Sequence, residues 1–190
     1  MKRLFCAVKV PLSDSIEELY EVFRTELSAE AITWVDKHHL HITLKFFGDT
    51  PDSRVDDLVV ALHHVAADSP PFSFRVEGCG TFGPSRQPRV LWLGIRKADM
   101  LIGLQEKIQH QLIGLGYEPE QRLFTPHLTI GRIKHLNDHF GLNSLESDYK
   151  ESLLSTVDVS SFYLIESKLR RQGPLYTVVE RFELGEGHRA

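Results

Sequence analysis

The sequence predicts a mixed α/β fold built from two similar halves, because one motif and the elements around it occur twice. The string His-apolar-Thr-apolar stands at His41–Leu44 and again at His127–Ile130, 86 positions later. A strand-like apolar run and then an amphipathic helical pattern precede each string at the same offset. Internal repetition of this kind determines the architecture to expect. It predicts a pseudo-twofold molecule whose functional site lies where the halves meet.

In the first half, an apolar run ended by Pro11 predicts a buried strand, and alternation of apolar and polar residues predicts later strands. Ser13–Ser15 supply N-cap candidates for the first helix, whose apolar residues recur at helical spacing. A second helix begins after Pro51 and ends before Pro70. The predicted elements are strands over 4–10, 34–35, 40–47 and 72–76 and helices over 14–27 and 51–65.

The second half begins after residues 78–89, a stretch rich in Gly, Pro, Ser and Arg that predicts a long loop. Residues 135–155 are polar and weakly patterned, with room for one short helix. Lys168–Gly173 predicts a basic hairpin loop between the last two strands. The predicted elements are strands over 90–95, 127–133, 157–166 and 175–184 and a helix over 100–113.

Composition limits the classes of protein to consider. The 190 residues are enough for one domain, and we expect 1–190 to form a single domain of two pseudo-symmetric lobes. The net charge of −4 provides no global field that attracts nucleic acid, so any RNA contact must be local. Cys6 and Cys79 lack metal-ligand spacing, and no apolar run approaches the ~18 residues of a membrane span. We expect a cytoplasmic monomer.

The two motifs predict acid–base chemistry at a phosphate. Alternate side chains of a strand share a face, so each motif presents one His beside one Thr. The ordinary pKa of His, about 6.5, lets one imidazole accept a proton while the other donates one. Zinc normally has three or four protein ligands, and neither motif contains a carboxylate or Cys, so a metal site is disfavoured. The nucleophile elbow of serine hydrolases is absent.

At the level of these residues, the chain resembles the 2H phosphoesterases. Within that family it resembles the bacterial and archaeal RNA 2′,3′-cyclic phosphodiesterases, also described as 2′-5′ RNA ligases. The resemblance covers nearly the whole chain. It rests on His41–Leu44, Pro126–Arg132, Arg3–Val8, Lys45–Gly48, Arg89–Gly94 and Tyr176–Val179.

This resemblance implies a bilobal fold with a groove between two antiparallel sheets and helices outside. It also implies metal-independent, cofactor-free hydrolysis of a 2′,3′-cyclic phosphate, on RNA ends or nucleotides, to a 2′-phosphate. The catalytic residues would be His41, as acid toward the 3′ oxygen, and His127, as base toward water. Thr43 and Thr129 would donate hydrogen bonds to the non-bridging oxygens. The resemblance also implies reversible ligation, in which the cyclic end is joined to a 5′-hydroxyl to form a 2′-5′ linkage.

Two further binding residues follow from the resemblance: Arg132 would hold the phosphate and Phe46 would stack on a nucleobase. Both lie five residues after their motif His, so strict alternation points them away from it, and a bulge or strong twist is needed. Core packing of Phe46 and a surface ion pair of Arg132 are the alternatives. Four loop arginines either line the groove for RNA or are simply solvated: Arg86, Arg89, Arg170 and Arg171.

Other functions stay open at this level. A relative could cleave 2′-5′ oligonucleotides or small cyclic nucleotide phosphates instead. A non-catalytic module that binds RNA ends would keep the groove without turnover, but the intact histidines in both motifs argue against it.

Overall fold

The computed structural model describes residues 1–170 and 173–185. In that part of the chain, the repeat predicted from the sequence is confirmed: the strand, helix and motif strand at Lys2–Lys9, Asp14–Glu26 and His41–Thr50 have counterparts at Val90–Arg96, Asp99–Ile113 and His127–His135. None of the helices in these ranges is both long and apolar enough to cross a bilayer. The elements are β1 (Lys2–Lys9), α1 (Asp14–Glu26), β2 (Ala31–Trp34), β3 (His41–Thr50), α2 (Val55–Ala67), β4 (Phe72–Phe82), β5 (Val90–Arg96), α3 (Asp99–Ile113), β6 (His127–His135), α4 (His139–Asp148), β7 (Leu153–Val159), β8 (Ser161–Arg170) and β9 (Gly173–Glu183).

The strands form two antiparallel sheets, as the fold class predicted. The first sheet has the order β3-β1-β8-β9 and the second has the order β2-β6-β5-β4-β7. Each sheet holds one motif strand, β3 at an edge and β6 between β2 and β5. Each sheet also takes strands from the other half of the sequence, since β8 pairs with β1 and β4 pairs with β5. That 1–190 acts as one domain of two lobes stays a prediction.

The motif strands are buried on one face and open on the other. Ile42 and Leu44 of β3, like Leu128 and Ile130 of β6, are at most 2 % exposed and belong to the main hydrophobic core. The intervening His and Thr residues therefore face away from that core. Each strand thus uses its apolar residues to fix the position of its polar ones.

Three predicted strands differ from the structure, and the smallest difference is in β2, predicted over 34–35 and found at Ala31–Trp34. Strand β4 continues through residues assigned to a loop and ends at Phe82, because Gly80 lets the Trp92 ring of β5 lie against its backbone. A Cβ at Gly80 would lie 2.6 Å from Trp92 Cζ2. The single strand predicted over 157–166 is two strands, β7 in the second sheet and β8 in the first. Ser160 and Ser161 interrupt the apolar alternation there, but neither Gly nor Pro marks a turn, so the pattern does not show that the chain changes sheets.

Candidate active site

The four motif side chains line one cavity between the sheets. It has a volume of ≈ 310 Å³ and is bordered by His41, Thr43, His127 and Thr129. Arg132 of β6 also lines it, as does Tyr176 of β9. Strands that are 86 residues apart in sequence therefore place two imidazoles, two hydroxyls and a guanidinium around a space that fits a phosphate group.

The two histidines are held in the same way. Nδ1 of His41 lies 2.8 Å from the carbonyl oxygen of His39, and Nδ1 of His127 lies 2.8 Å from that of Thr125. A carbonyl oxygen only accepts hydrogen bonds, so Nδ1 carries a hydrogen in both rings. Nε2 is then the nitrogen that gains or loses a proton in each ring. In both motifs the orienting carbonyl belongs to the residue two positions earlier.

Aromatic side chains flank both imidazoles. The His41 ring centroid is 5.0 Å from that of Phe5 and 5.5 Å from that of Tyr176. The His127 ring meets Phe82 edge-on at 4.8 Å. These contacts fix the orientation of each ring and shield part of it from water.

The surroundings lower the pKa of His41 below its usual value. Burial is the largest cause, because it disfavours the charged ring. The hydrogen bond to the His39 carbonyl acts in the opposite direction, while the charges of His39 and Arg132 lower the pKa further. In the free protein these effects favour the neutral form of His41.

Replacing Arg132 with glutamine should raise the pKa of His41, because a cation that repels the imidazolium is removed. NMR titration of the imidazole protons in the free protein measures this shift directly. Arg96→Gln, at the C-terminal end of β5, removes one arginine charge outside the cavity and should leave the pKa of His41 unchanged. A His41 pKa that falls, or stays fixed, in Arg132→Gln would contradict this electrostatic coupling.

The bulge needed to direct Arg132 and Phe46 toward the His–Thr face is present in both motif strands. Cys6 pairs with Lys45 and Ala7 with Thr43, which leaves Leu44 without a partner in β1. Ile130 is skipped in the same way between β5 and β6. The two unpaired residues are again 86 positions apart, so the repeat includes the bulge.

Beyond this bulge, Arg132 lies at the cavity and Phe46 does not. Arg132 lines the cavity, and within residues 1–170 and 173–185 no carboxylate forms an ion pair with it. Phe46 lies opposite Phe5 on the same face, 46 % exposed, so it does not pack in the core. Its ring does not line the cavity but carries the Arg3 guanidinium 4.8 Å above its centroid.

The three described loop arginines, Arg86, Arg89 and Arg170, do not line the cavity. Arg86 and Arg89 line a separate cleft, and Arg170 ends β8. Arg171 lies outside the described residues. Tyr176 is a cavity residue that the sequence reasoning did not select, although its strand contributed to the family resemblance. A single tyrosine beside a hairpin gives no periodic signal that separates it from an ordinary strand residue.

Comparison with known proteins gives the family. The LigT-like phosphoesterase model matches the chain twice, over residues 8–92 and 93–176, which agrees with the internal repeat. The chain belongs to the LigT-like phosphoesterase family. This confirms the resemblance drawn from the motifs, and it classes the chain with enzymes.

Relatives and solved structures of this family match over most of their length. An RNA 2′,3′-cyclic phosphodiesterase of Aquifex aeolicus is 34% identical over 176 residues, covering 91% of this chain and 93% of the relative. The corresponding protein of Methanothermobacter thermautotrophicus is 31% identical, covering 96% and 98%. A crystal structure of a Thermus thermophilus protein superposes with a TM-score of 0.79 at 27% identity, covering 98% and 100%. Escherichia coli LigT in apo form gives 0.73 at 25%, covering 97% and 98%.

Proposed function

We propose that this phosphoesterase hydrolyses the 2′,3′-cyclic phosphate at an RNA end to a 2′-phosphate. One observation carries the proposal: two histidines with matching Nδ1–carbonyl hydrogen bonds line the same cavity as two threonines and an arginine. That set supplies a proton acceptor, a proton donor and three hydrogen-bond donors for an anion. The relatives named RNA 2′,3′-cyclic phosphodiesterase support this choice of substrate.

The chemistry is in-line displacement at phosphorus. A neutral imidazole takes a proton from water as the water oxygen bonds to phosphorus, and the bond from phosphorus to the 3′ oxygen breaks. The other imidazole, protonated, gives its proton to that leaving oxygen. The products are a 2′-phosphate and a 3′-hydroxyl. Thr43, Thr129 and Arg132 stabilise the charge that builds on the non-bridging oxygens.

The assignment of acid and base depends on the charge of the bound phosphate. The lowered pKa of His41 favours the base role for this residue in the free protein, opposite to the acid role that the resemblance implies. An anionic phosphate beside the ring raises its pKa on binding and so favours protonation. Ligation to a 2′-5′ linkage would use a 5′-hydroxyl in place of water. The base takes the proton of that hydroxyl as its oxygen bonds to phosphorus, and the acid protonates the leaving 3′ oxygen, so both histidines keep their roles.

A second cavity provides room for the nucleoside attached to the phosphate. It has a volume of ≈ 440 Å³ and shares His39, His41 and Tyr176 with the first. Apolar side chains, among them Ile165 and Val178, form part of its lining. A phosphate alone does not need this space, so two adjoining cavities suit a nucleotide.

Incubation with an oligonucleotide that ends in a 2′,3′-cyclic phosphate tests the function. The expected product carries its phosphate on the 2′ oxygen, which phosphorus NMR distinguishes from a 3′-phosphate. A 2′-5′-linked oligonucleotide and a cyclic mononucleotide in parallel reactions test the alternative substrates. Binding without turnover would instead identify a module that only recognises RNA ends.

The hydrolysis rate should be unchanged in EDTA, because both imidazoles are assigned to proton transfer and the phosphate is held by Thr and Arg side chains. No cluster of three or more His, Cys, Asp or Glu residues that could hold a metal occurs in 1–170 and 173–185. Initial rates with and without chelator, followed by addition of Zn²⁺ or Mn²⁺, provide the measurement. Activity that disappears in EDTA and returns with metal would refute the metal-free mechanism.

A further inference from the structure

A basic cleft lies beyond the cavity, beside the end of β6. It has a volume of ≈ 530 Å³, and four basic side chains line it: Arg86, Arg89, Lys134 and His135. Its remaining lining residues are Gln87, Pro88, Ile133 and Leu136, so no acidic residue of the described chain lines the cleft. Such a cluster is unusual in a chain whose net charge is −4.

The loop that carries the two arginines is fixed at its main chain. Gly83 has a φ of +121°, and a Cβ there would lie 2.9 Å from the Gln87 carbonyl oxygen. The Arg89 amide donates to the Phe82 carbonyl, and the Ile133 amide donates to the Arg89 carbonyl. These hydrogen bonds join the loop to β4 and β6, so the position of Arg89 relative to Lys134 is set before any ligand binds.

Three of the four basic side chains of the cleft are available to an anion, whereas Nε2 of His135 lies 3.0 Å from Oδ1 of Asn137. Over the described ranges, no carboxylate is within ion-pair distance of Arg86, Arg89 or Lys134. Glu30 lies near the same strand end, but its oxygens accept hydrogen bonds from the amides of Asn137 and Asp138, at 2.6 and 3.1 Å. Cations without local counter-charge attract anions from solution.

Strand β6 connects this cleft to the cavity. Thr129 and Arg132 line the cavity, and Lys134 lines the cleft two residues further along. At about 3.3 Å per residue, Lys134 is about 16 Å from Thr129 along the strand. On the neighbouring strand, Val90 pairs with Arg132 and directly follows Arg89. A row of cations therefore runs from the position of the reacting phosphate to the cleft.

We propose that the cleft binds backbone phosphates of the RNA strand whose cyclic end occupies the cavity, a few nucleotides upstream of that end. The inference rests on the proposed function and extends it, because it makes an RNA strand a better substrate than a cyclic mononucleotide. Phosphate contacts from Arg and Lys add affinity without reading sequence, so the preference is for length.

A salt titration with two substrates tests the cleft. The substrates are a 2′,3′-cyclic mononucleotide and a hexanucleotide with the same cyclic end, and the enzyme forms are wild type and Arg86→Gln/Arg89→Gln. The slope of log kcat/KM against log salt is negative, and each lost single-strand phosphate contact makes it less steep by about 0.7. The slope of the double variant should therefore be less steep than that of the wild type by about 1.4. Its kcat/KM for the hexanucleotide should fall on the order of 10-fold at about 0.1 M salt. Its kcat/KM for the mononucleotide should stay at the wild-type value.

Matched variants separate the cleft from total charge. Arg96→Gln removes a cation at the opposite end of β5 and should keep the wild-type slope. Arg86→Lys/Arg89→Lys retains the charges and should keep most of the wild-type slope. Equal slopes in wild type and the Gln variant, or equal losses on both substrates, would overturn the cleft proposal. Failure of the proposed function would show separately, as a wild-type protein that hydrolyses neither the hexanucleotide nor the cyclic mononucleotide.

Discussion

Replacing His41 or His127 with alanine should lower turnover of a 2′,3′-cyclic phosphate by roughly 10²–10⁴-fold, the range for loss of a general acid or base. Each ring presents Nε2 as its titrating atom, since Nδ1 is hydrogen-bonded to a carbonyl oxygen, and each lines the cavity that holds the threonines. Steady-state rates at several pH values measure the loss.

The two substitutions should not be additive. The two histidines act on one displacement, so the double variant should be little slower than either single variant. His64→Ala, on the exposed side of α2, is the matched control and should keep the wild-type rate. His41 packs against Phe5 and Tyr176, so thermal unfolding of each variant should be recorded as well. A folded single variant with near-native turnover would show that the pair is not the acid–base couple.

Much of the fold could be predicted because its strongest signals are local. Strand alternation placed Ile42 and Leu44 in the core, and helical spacing placed the buried face of α1. The N-cap fell within the predicted residues, at Ser13, whose hydroxyl accepts from the Ile16 amide. The repeat added long-range information, because it indicated that the two His-x-Thr strands are structurally equivalent.

The rest depends on contacts between distant segments. Whether β7 and β8 are one strand or two is decided by the sheet that each joins, and the Ser160-Ser161 step between them contains no Gly or Pro that would indicate a turn. The bulge at Leu44 follows from pairing with β1, so sequence could state that a bulge was needed but not where it lies. Tyr176 is placed by the pairing of β8 with β9, and the basic cleft forms where an anchored loop lies beside β6; neither arrangement is local in the sequence.

The threonines are expected to act as hydrogen-bond donors to the phosphate. Thr43→Val and Thr129→Val keep size and branching but remove the hydroxyl, and each should reduce kcat/KM on the order of 10–10³-fold, by analogy with loss of an oxyanion donor. Thr43→Ser and Thr129→Ser keep the donor and should retain much more activity. Thr156→Val, on an exposed position of β7, is the matched control and should behave as wild type.

The pH profile distinguishes this donor role from a role in proton transfer. Activity needs one neutral and one protonated imidazole, so kcat/KM should follow a bell-shaped curve with its maximum near neutrality. Because the hydroxyls do not titrate in this range, the valine variants should have a lower maximal kcat/KM but should keep the decline on both the acidic and the alkaline side. Equal losses in the Ser and Val variants would mean that Thr43 and Thr129 contribute packing alone. Arg132, which lines the same cavity without an ion-pair partner in residues 1–170 and 173–185, would then be the main anchor of the phosphate.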